Sequence, residues 1–171
     1  MADLDITYMS LQEMGAERHP KNPKRHDLDR IGKSLEHFGF VAPLLLDERD
    51  GKLVAGHGRL SALNGLKAAG KAAPDRIREK GGDWLVPVIR GVNFDTEADA
   101  EAYLIADNQL TMAGGWDEDA LVDLLEVQAT AGMMETIGFS DDYLTRLAED
   151  REVEEDSRNA DAEREELKEK K

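Results

Sequence analysis

In residues 52–66, KLVAGHGRLSALNGL, a short apolar run passes through Gly56-His57-Gly58 into a segment with helical spacing. A Gly-x-Gly turn between a strand and a helix lets the backbone approach a ligand closely. It also points unpaired amide hydrogens at that ligand and adds the partial positive charge of a helix start. Arg59, in the first turn, can form a bidentate pair with a phosphate, and His57 is of the one side-chain type that titrates near neutrality and can serve as a base there. By spacing alone, the same residues also read as a plain tight turn followed by a surface arginine.

Two further segments offer complementary chemistry. The loop HPKNPKRHD (residues 19–27) holds Arg25 and His26 behind Asn22-Pro23, a cationic and a switchable group on a stiff connection; the alternative is a merely solvated loop. In IADNQL (residues 105–110), Asp107 and Asn108 place a carboxylate beside an amide, oxygen ligands suited to Mg²⁺ held against a phosphate. A polar helix end is the other reading. No two of the four histidines share a His-x-x-x-His spacing, so a histidine-only metal site is not expected.

The elements that must carry these groups can be read from periodicity and punctuation. Residues 4–14 alternate weakly and predict an edge strand running into a turn. Asp27 is an N-cap, Leu28, Ile31, Leu35 and Phe38 recur at helical spacing, and Gly39 stops the helix. VAPLLLDE and KLVAG read as a hairpin closed at Asp50-Gly51. The helix after Gly58 presents Leu60, Leu63, Leu66 and Ala69. KAAPDRIREKGGD reads as an exposed insertion, about residues 70–83, and WLVPVIRGVN as a third strand. Thr96 caps a helix over residues 97–110 whose apolar stripe is Ala98, Ala102, Ile105 and Ala106, with TMAGG as a loop. Asp117 opens a helix with Leu121, Leu124, Leu125 and Gln128 on one face, and Ser140 opens a last short one. Beyond about Asp150 the chain is almost wholly charged, which predicts a solvated helix or a flexible tail. Strands mixed with helices to residue 94, then helices only, imply an α+β fold. The expected organisation is a domain over 1–112, an acidic helical extension over 113–149 and a charged tail over 150–171.

Charge is distributed unevenly over the 171 residues. The formal net charge is −15, with about +2 over residues 1–94, −14 over 95–150 and −3 over 151–171. Anion-binding chemistry is therefore expected before residue 95. The chain has no cysteine, which excludes thiol catalysis, disulfides and cysteine metal sites. No apolar run is long enough to span a membrane, and MADLDITYMS lacks the features of a secretion signal, so the expected location is cytoplasmic.

Taken together, NPKRHD, the helix ending in FGF before VAPLLLDE, VAGHGRLSAL, VPVIR and LIADNQL resemble the ParB/sulfiredoxin-like superfamily, whose members are often called ParB-like nuclease domains. The resemblance covers roughly residues 4–112. In the ParB branch the turn reads Gly-Glu-Arg-Arg and the late motif Glu-Asn-x-Gln-Arg, and together they bind a nucleoside triphosphate and Mg²⁺. The resemblance implies a small mixed sheet with helices, phosphates held by Gly56, Gly58 and Arg59, Arg25 and His26 reaching the triphosphate, and Mg²⁺ at Asp107 and Asn108. ATP or CTP would be the cofactor.

The sequence also departs from that pattern. His57 stands where the ParB branch has a glutamate implicated in hydrolysis, and Gly58 replaces the first arginine. The same position as His57 holds the reactive cysteine of sulfiredoxin, so sulfinic acid reduction is excluded. The 171 residues contain no helix-turn-helix reader. AGHGR, LIADNQL, GGWDE and IGFS resemble the ParB-like modules found with phage and prophage DNA-modification enzymes. The implied function is a nucleotide-binding module in DNA metabolism or modification, with slow or no turnover and His57 as its candidate catalytic residue. Its partners would be a nucleotide, a DNA-modifying or other DNA-processing protein and a second copy of itself, with weak or no direct DNA binding and no membrane. The alternatives are a nuclease with His57 as base, and a non-enzymatic adaptor that docks a basic protein on its acidic helices.

Overall fold

The computed structural model describes residues 3–14 and 21–169, with side chains defined through Ala160 and at Lys168. His19 and Pro20 of the proline-basic loop lie outside the described residues. The chain divides into two compact units, Met1–Gly114 and Gly115–Lys171.

The first unit is built on one mixed sheet. Its central strand β5 (Asp83–Arg90) pairs antiparallel with β1 (Asp5–Ser10), from Asp5↔Arg90 to Ser10↔Leu85. On the other side β5 pairs parallel with β2 (Leu44–Leu46), which forms the expected hairpin with β3 (Leu53–Ala55). Side chains alternate across these strands as their period of two requires. Leu44, Leu46, Leu53, Val86 and Val88 join one core with Leu35, Phe40, Leu60 and Leu63. Leu45, Val54 and Ile89 face the opposite way and meet Ala100 and Phe94. Helices α2 (Leu28–Phe38) and α3 (His57–Ala68) thus lie on one face, and α4 (Glu97–Ala113) on the other.

Local chemistry explains where the helices begin and end. Asp27 accepts a hydrogen bond from the Arg30 amide at 3.1 Å, and Gly39 ends α2 at φ 76°. Thr96 and Asp99 form a reciprocal capping box at the start of α4. Two buried or half-buried carboxylates then fix the elements to one another. Asp47, fully buried, accepts from the amides of Arg49 at 3.0 Å and Phe94 at 3.2 Å, tying the hairpin turn to the segment that enters α4. Asp83 accepts from Lys67 Nζ at 2.5 Å and from Ser10 Oγ, joining α3 and β1 to β5.

Several expectations are corrected. The turn after β1 is a one-turn helix α1 (Leu11–Met14), because Leu11 and Met14 both bury in the main core. The segment expected as an exposed insertion has an exposed tip but is not merely inserted. Its β4 (Arg78–Lys80) pairs with β5 across Gly81-Gly82, and Phe40 N–H donates to Asp75 O at 2.8 Å. The stripe expected on α4 is not its buried face. Ala98, Ala102 and Ile105 are exposed and Ala106 half-buried, whereas Ala100 and Leu104 are buried. TMAGG is not all loop, since α4 continues through Ala113.

The second unit is wholly helical. Asp117 caps α5 (Glu118–Thr130) by accepting from the Ala120 amide at 3.2 Å. Leu121, Val122 and Leu125 pack with Met134 of the short α6 (Met134–Ile137) and Leu147 of α7 (Asp141–Glu169). Val122 takes the place expected for Leu124, which is 64% exposed. Of the two outcomes foreseen for the tail, α7 runs unbroken across residue 150 as a helix exposed at every described side chain from Glu152 onward. Among the described residues no helix is long and apolar enough to cross a membrane.

Candidate functional site

Among the described helices longer than two turns, only the one that follows the β3–α3 turn starts without a side-chain cap. Helices α2, α4, α5 and α7 each begin under a side-chain cap: Asp27, Thr96, Asp117 and Ser140. Helix α3 begins at Gly56, which has no side chain to offer its amides. Side chains commonly cap the first amides of a helix; at this turn no such cap is present, and the helix dipole adds partial positive charge there. Gly56 sits at φ 98° and ψ 14°, and a Cβ there would stand 2.5 Å from Leu44 Cδ2. Gly58 is required for a different reason. A Cβ on it would meet His26 Nδ1 at 2.8 Å and Ile31 Cδ1 at 2.9 Å. The His26 ring therefore lies directly over the Gly58 backbone.

A cavity of about 260 Å³ opens on this turn, lined by Gly56, His57, Gly58 and Arg59, by Asn22 and His26 of the loop, and by Asp107 and Asn108 of α4. Three segments far apart in sequence thus converge. Arg25, expected among them, is exposed and lies outside the lining. The residue before the proline takes its place: Asn22 Oδ1 accepts from the Lys24 amide at 3.1 Å, an Asx turn that folds the loop toward the cavity. Asn-Pro as a turn initiator was the available signal for it.

The charges are held in a defined way. Arg59 is half-buried and donates from Nη2 to Pro43 O at 3.2 Å, while its Nε is buried with no hydrogen bond among the described residues. Burial pushes the guanidinium down from its ordinary pKa and Asp107 pulls it back up; it remains a cation. Burial, and secondarily Lys24, lowers the pKa of His26 and so favours its neutral ring. His26 Nε2 is also buried without a hydrogen bond among the described residues. His57 is only 8% exposed and its carbonyl accepts from Ser61 Oγ at 2.9 Å.

The fit to Mg²⁺ is partial. Asp107 is exposed, and Asn108 donates from its amide to Leu104 O at 2.9 Å, which leaves its side-chain oxygen as an acceptor not used in that bond. Among the described residues no three histidine or acidic side chains stand close enough to cage a metal. Mg²⁺ usually takes one or two protein oxygens and completes its shell with phosphates and water, so this pair suits an ion brought with phosphates rather than a resident one.

A second cavity of about 280 Å³ shares Asn22 and Asn108 as walls with the first. It runs between the loop and α4, over Pro23, Lys24, Leu104, Ile105, Gln109 and Met112. It is mostly apolar, with the amide side chains of Asn22, Asn108 and Gln109 among its walls.

No protein-family model matches the chain. It is 37% identical over 67 residues to the ParB-like nuclease domain-containing protein YnaK of Escherichia coli (strain K12), a match over 37% of this chain and 74% of that one. Among solved structures it resembles the C-terminally truncated chromosome-partitioning protein ParB of Caulobacter crescentus, determined with CTP-gamma-S. The TM-score is 0.55 at 18% identity, covering 84% of this chain and 76% of that one. At that identity the likeness is one of fold. The chain belongs to the ParB-like family.

Proposed function

We propose that this ParB-like chain binds a nucleoside triphosphate, with its phosphates on the Gly56–Arg59 turn. One observation carries the reading: α3 alone among the described long helices lacks a side-chain cap, and its glycine start and Arg59 line one cavity with Asn22, His26, Asp107 and Asn108. The phosphates would accept from backbone amides of the turn and from the half-buried Arg59 guanidinium, a charge-assisted pair. Asp107 and Asn108 would meet Mg²⁺ carried by the phosphates. The adjoining, mostly apolar cavity, with three amide side chains in its walls, suits the nucleoside half, since apolar surface and a few polar groups are what such a half needs. That the Caulobacter ParB was determined with a CTP analogue supports the reading and favours CTP over ATP as the first nucleotide to try.

Turnover is expected to be slow or absent. His57 stands where the ParB branch carries the glutamate implicated in hydrolysis, so the group expected to drive turnover is replaced. The biological setting we favour is cytoplasmic DNA metabolism or modification of the phage-associated kind, with the nucleotide state controlling association with a DNA-processing protein.

Titration with CTP, ATP and GTP plus Mg²⁺, followed by melting temperature, tests the site. A ligand at 100 times its dissociation constant should stabilise the fold by about 2.7 kcal/mol. Arg59→Ala should abolish the shift at a cost to the free protein of about 1 kcal/mol, for the hydrogen bond to Pro43 O. No shift with any nucleotide, or an unchanged shift in Arg59→Ala, overturns the proposal. Phosphate release that is fast, multiple-turnover and lost in His57→Ala would make the protein an enzyme and His57 its base.

A further inference from the structure

Helix α5 carries two apolar faces, and the described residues of the second unit cover only one. Leu121, Val122 and Leu125 are buried against α6 and α7. Ala120, Leu124, Val127 and Ala131 follow one another at spacings of four, three and four, the interval that keeps residues on one face of a helix. All four are exposed, Leu124 by 64% and Val127 by 62%. Trp116, just before the cap, is 68% exposed, and aromatic residues of this kind are enriched where partners bind.

The charge around this stripe selects its partner. Helix α5 has four acidic residues, Glu118, Asp119, Asp123 and Glu126, and no basic one. Arg151 of α7 lies 2.7 Å from Asp123 and 3.9 Å from Glu126, answering part of that charge and none of that on Glu118 and Asp119. Residues 115–171 together carry a net charge of −12. A second copy brought onto the stripe would add a like charge of the same size, which disfavours self-association. A basic surface would be drawn to it.

We infer that the exposed face of α5 is a docking surface for a basic amphipathic helix of another protein, with its apolar residues on Leu124 and Val127 and its Lys or Arg residues toward Asp119 and Asp123. The surface stands independently of the nucleotide site, because it lies in the other unit and shares no residue with the cavity.

The probe is a synthetic three-heptad peptide with Leu at a and d and Lys at e and g, set beside a counterpart with Glu at e and g. Both are titrated into the ¹⁵N-labelled full chain. The Lys peptide should shift amides of α5 and bind at least tenfold more tightly than the Glu peptide. Its affinity should fall at least tenfold in Leu124→Ser/Val127→Ser, whose amide spectrum reports that the fold persists because both side chains stand outside the core. Shifts centred elsewhere, equal binding of the two peptides, no binding of the Lys peptide, or an unchanged affinity in the double variant overturns the inference. So does a dimer in sedimentation that disappears in Leu124→Ser, since the face would then belong to a second copy.

Discussion

Two identical substitutions in the same turn-and-helix segment should have opposite signs. Gly56→Ala puts a Cβ on a residue at φ 98°, where an L side chain costs about 1–2 kcal/mol. That Cβ would also stand 2.5 Å from Leu44 Cδ2, and Leu44 is fully buried in the main core, so the crowding cannot be relieved into solvent. Overpacking of this kind adds about 1–3 kcal/mol, for a total of about 2–5 kcal/mol. Gly65 lies within α3, is exposed, and a Cβ there would meet nothing within 4 Å. Gly65→Ala should therefore stabilise by about 0.5–1 kcal/mol, through the smaller entropy loss of alanine in a helix. Urea denaturation checks both. Trp84, 5% exposed on β5, reports on the first unit, and a Trp116→Phe background removes the signal of the second. The midpoint should fall for Gly56→Ala and rise for Gly65→Ala, with the slope unchanged in each. Equal midpoints for Gly56→Ala and the parent would show that the turn relaxes freely, and the account of why glycine is needed there would fail. Destabilisation by Gly65→Ala would show that the space around Gly65 is tighter than the structure gives.

Acid should weaken the first unit through two carboxylates. Asp83 is held to a pKa of about 2 chiefly by Lys67, then Ser10, and Glu48 to about 2 by Arg90 and the Gly91 amide. A carboxylate lowered in the folded state stabilises above its unfolded pKa and loses that contribution as pH falls through the folded one. Asp83 should thus contribute about 1–2 kcal/mol above pH ~4 that is gone near pH 2, and Asp83→Asn should be less stable at pH 7 with a flatter acid limb in pH-dependent melting. Plain duplex DNA should not shift in a gel at sub-micromolar protein and physiological salt. A net charge of about +2 over residues 1–94 cannot supply the roughly six to ten phosphate contacts of tight binders. Tight binding there would restore the nuclease reading.

Much of the fold was legible because it rests on local chemistry. Asp27, Thr96 and Asp117 cap the helices they were expected to cap, since a short polar side chain satisfying its own helix start needs nothing from elsewhere in the chain. The β2–β3 hairpin, the strand–turn–helix at Gly56-His57-Gly58 and the change to helices after residue 94 belong to the same class. Tertiary structure decided what depends on distant partners. Helix α4 is rich in alanine and apolar residues on several faces, so periodicity offered Ala98, Ala102 and Ile105, and only the opposing Leu45 and Val54 of the sheet chose Ala100. Likewise β4 exists because β5 offers it an open edge, and Leu124 gave way to Val122 because α7 packs from one side. The site divides in the same manner. Its residue types could be read in three separate segments. That Arg25 falls outside the cavity, that Asn22 falls inside it, and that the His26 ring rests on Gly58 follow from how the loop packs against α3 and α4, a matter of long-range geometry that no local pattern encodes.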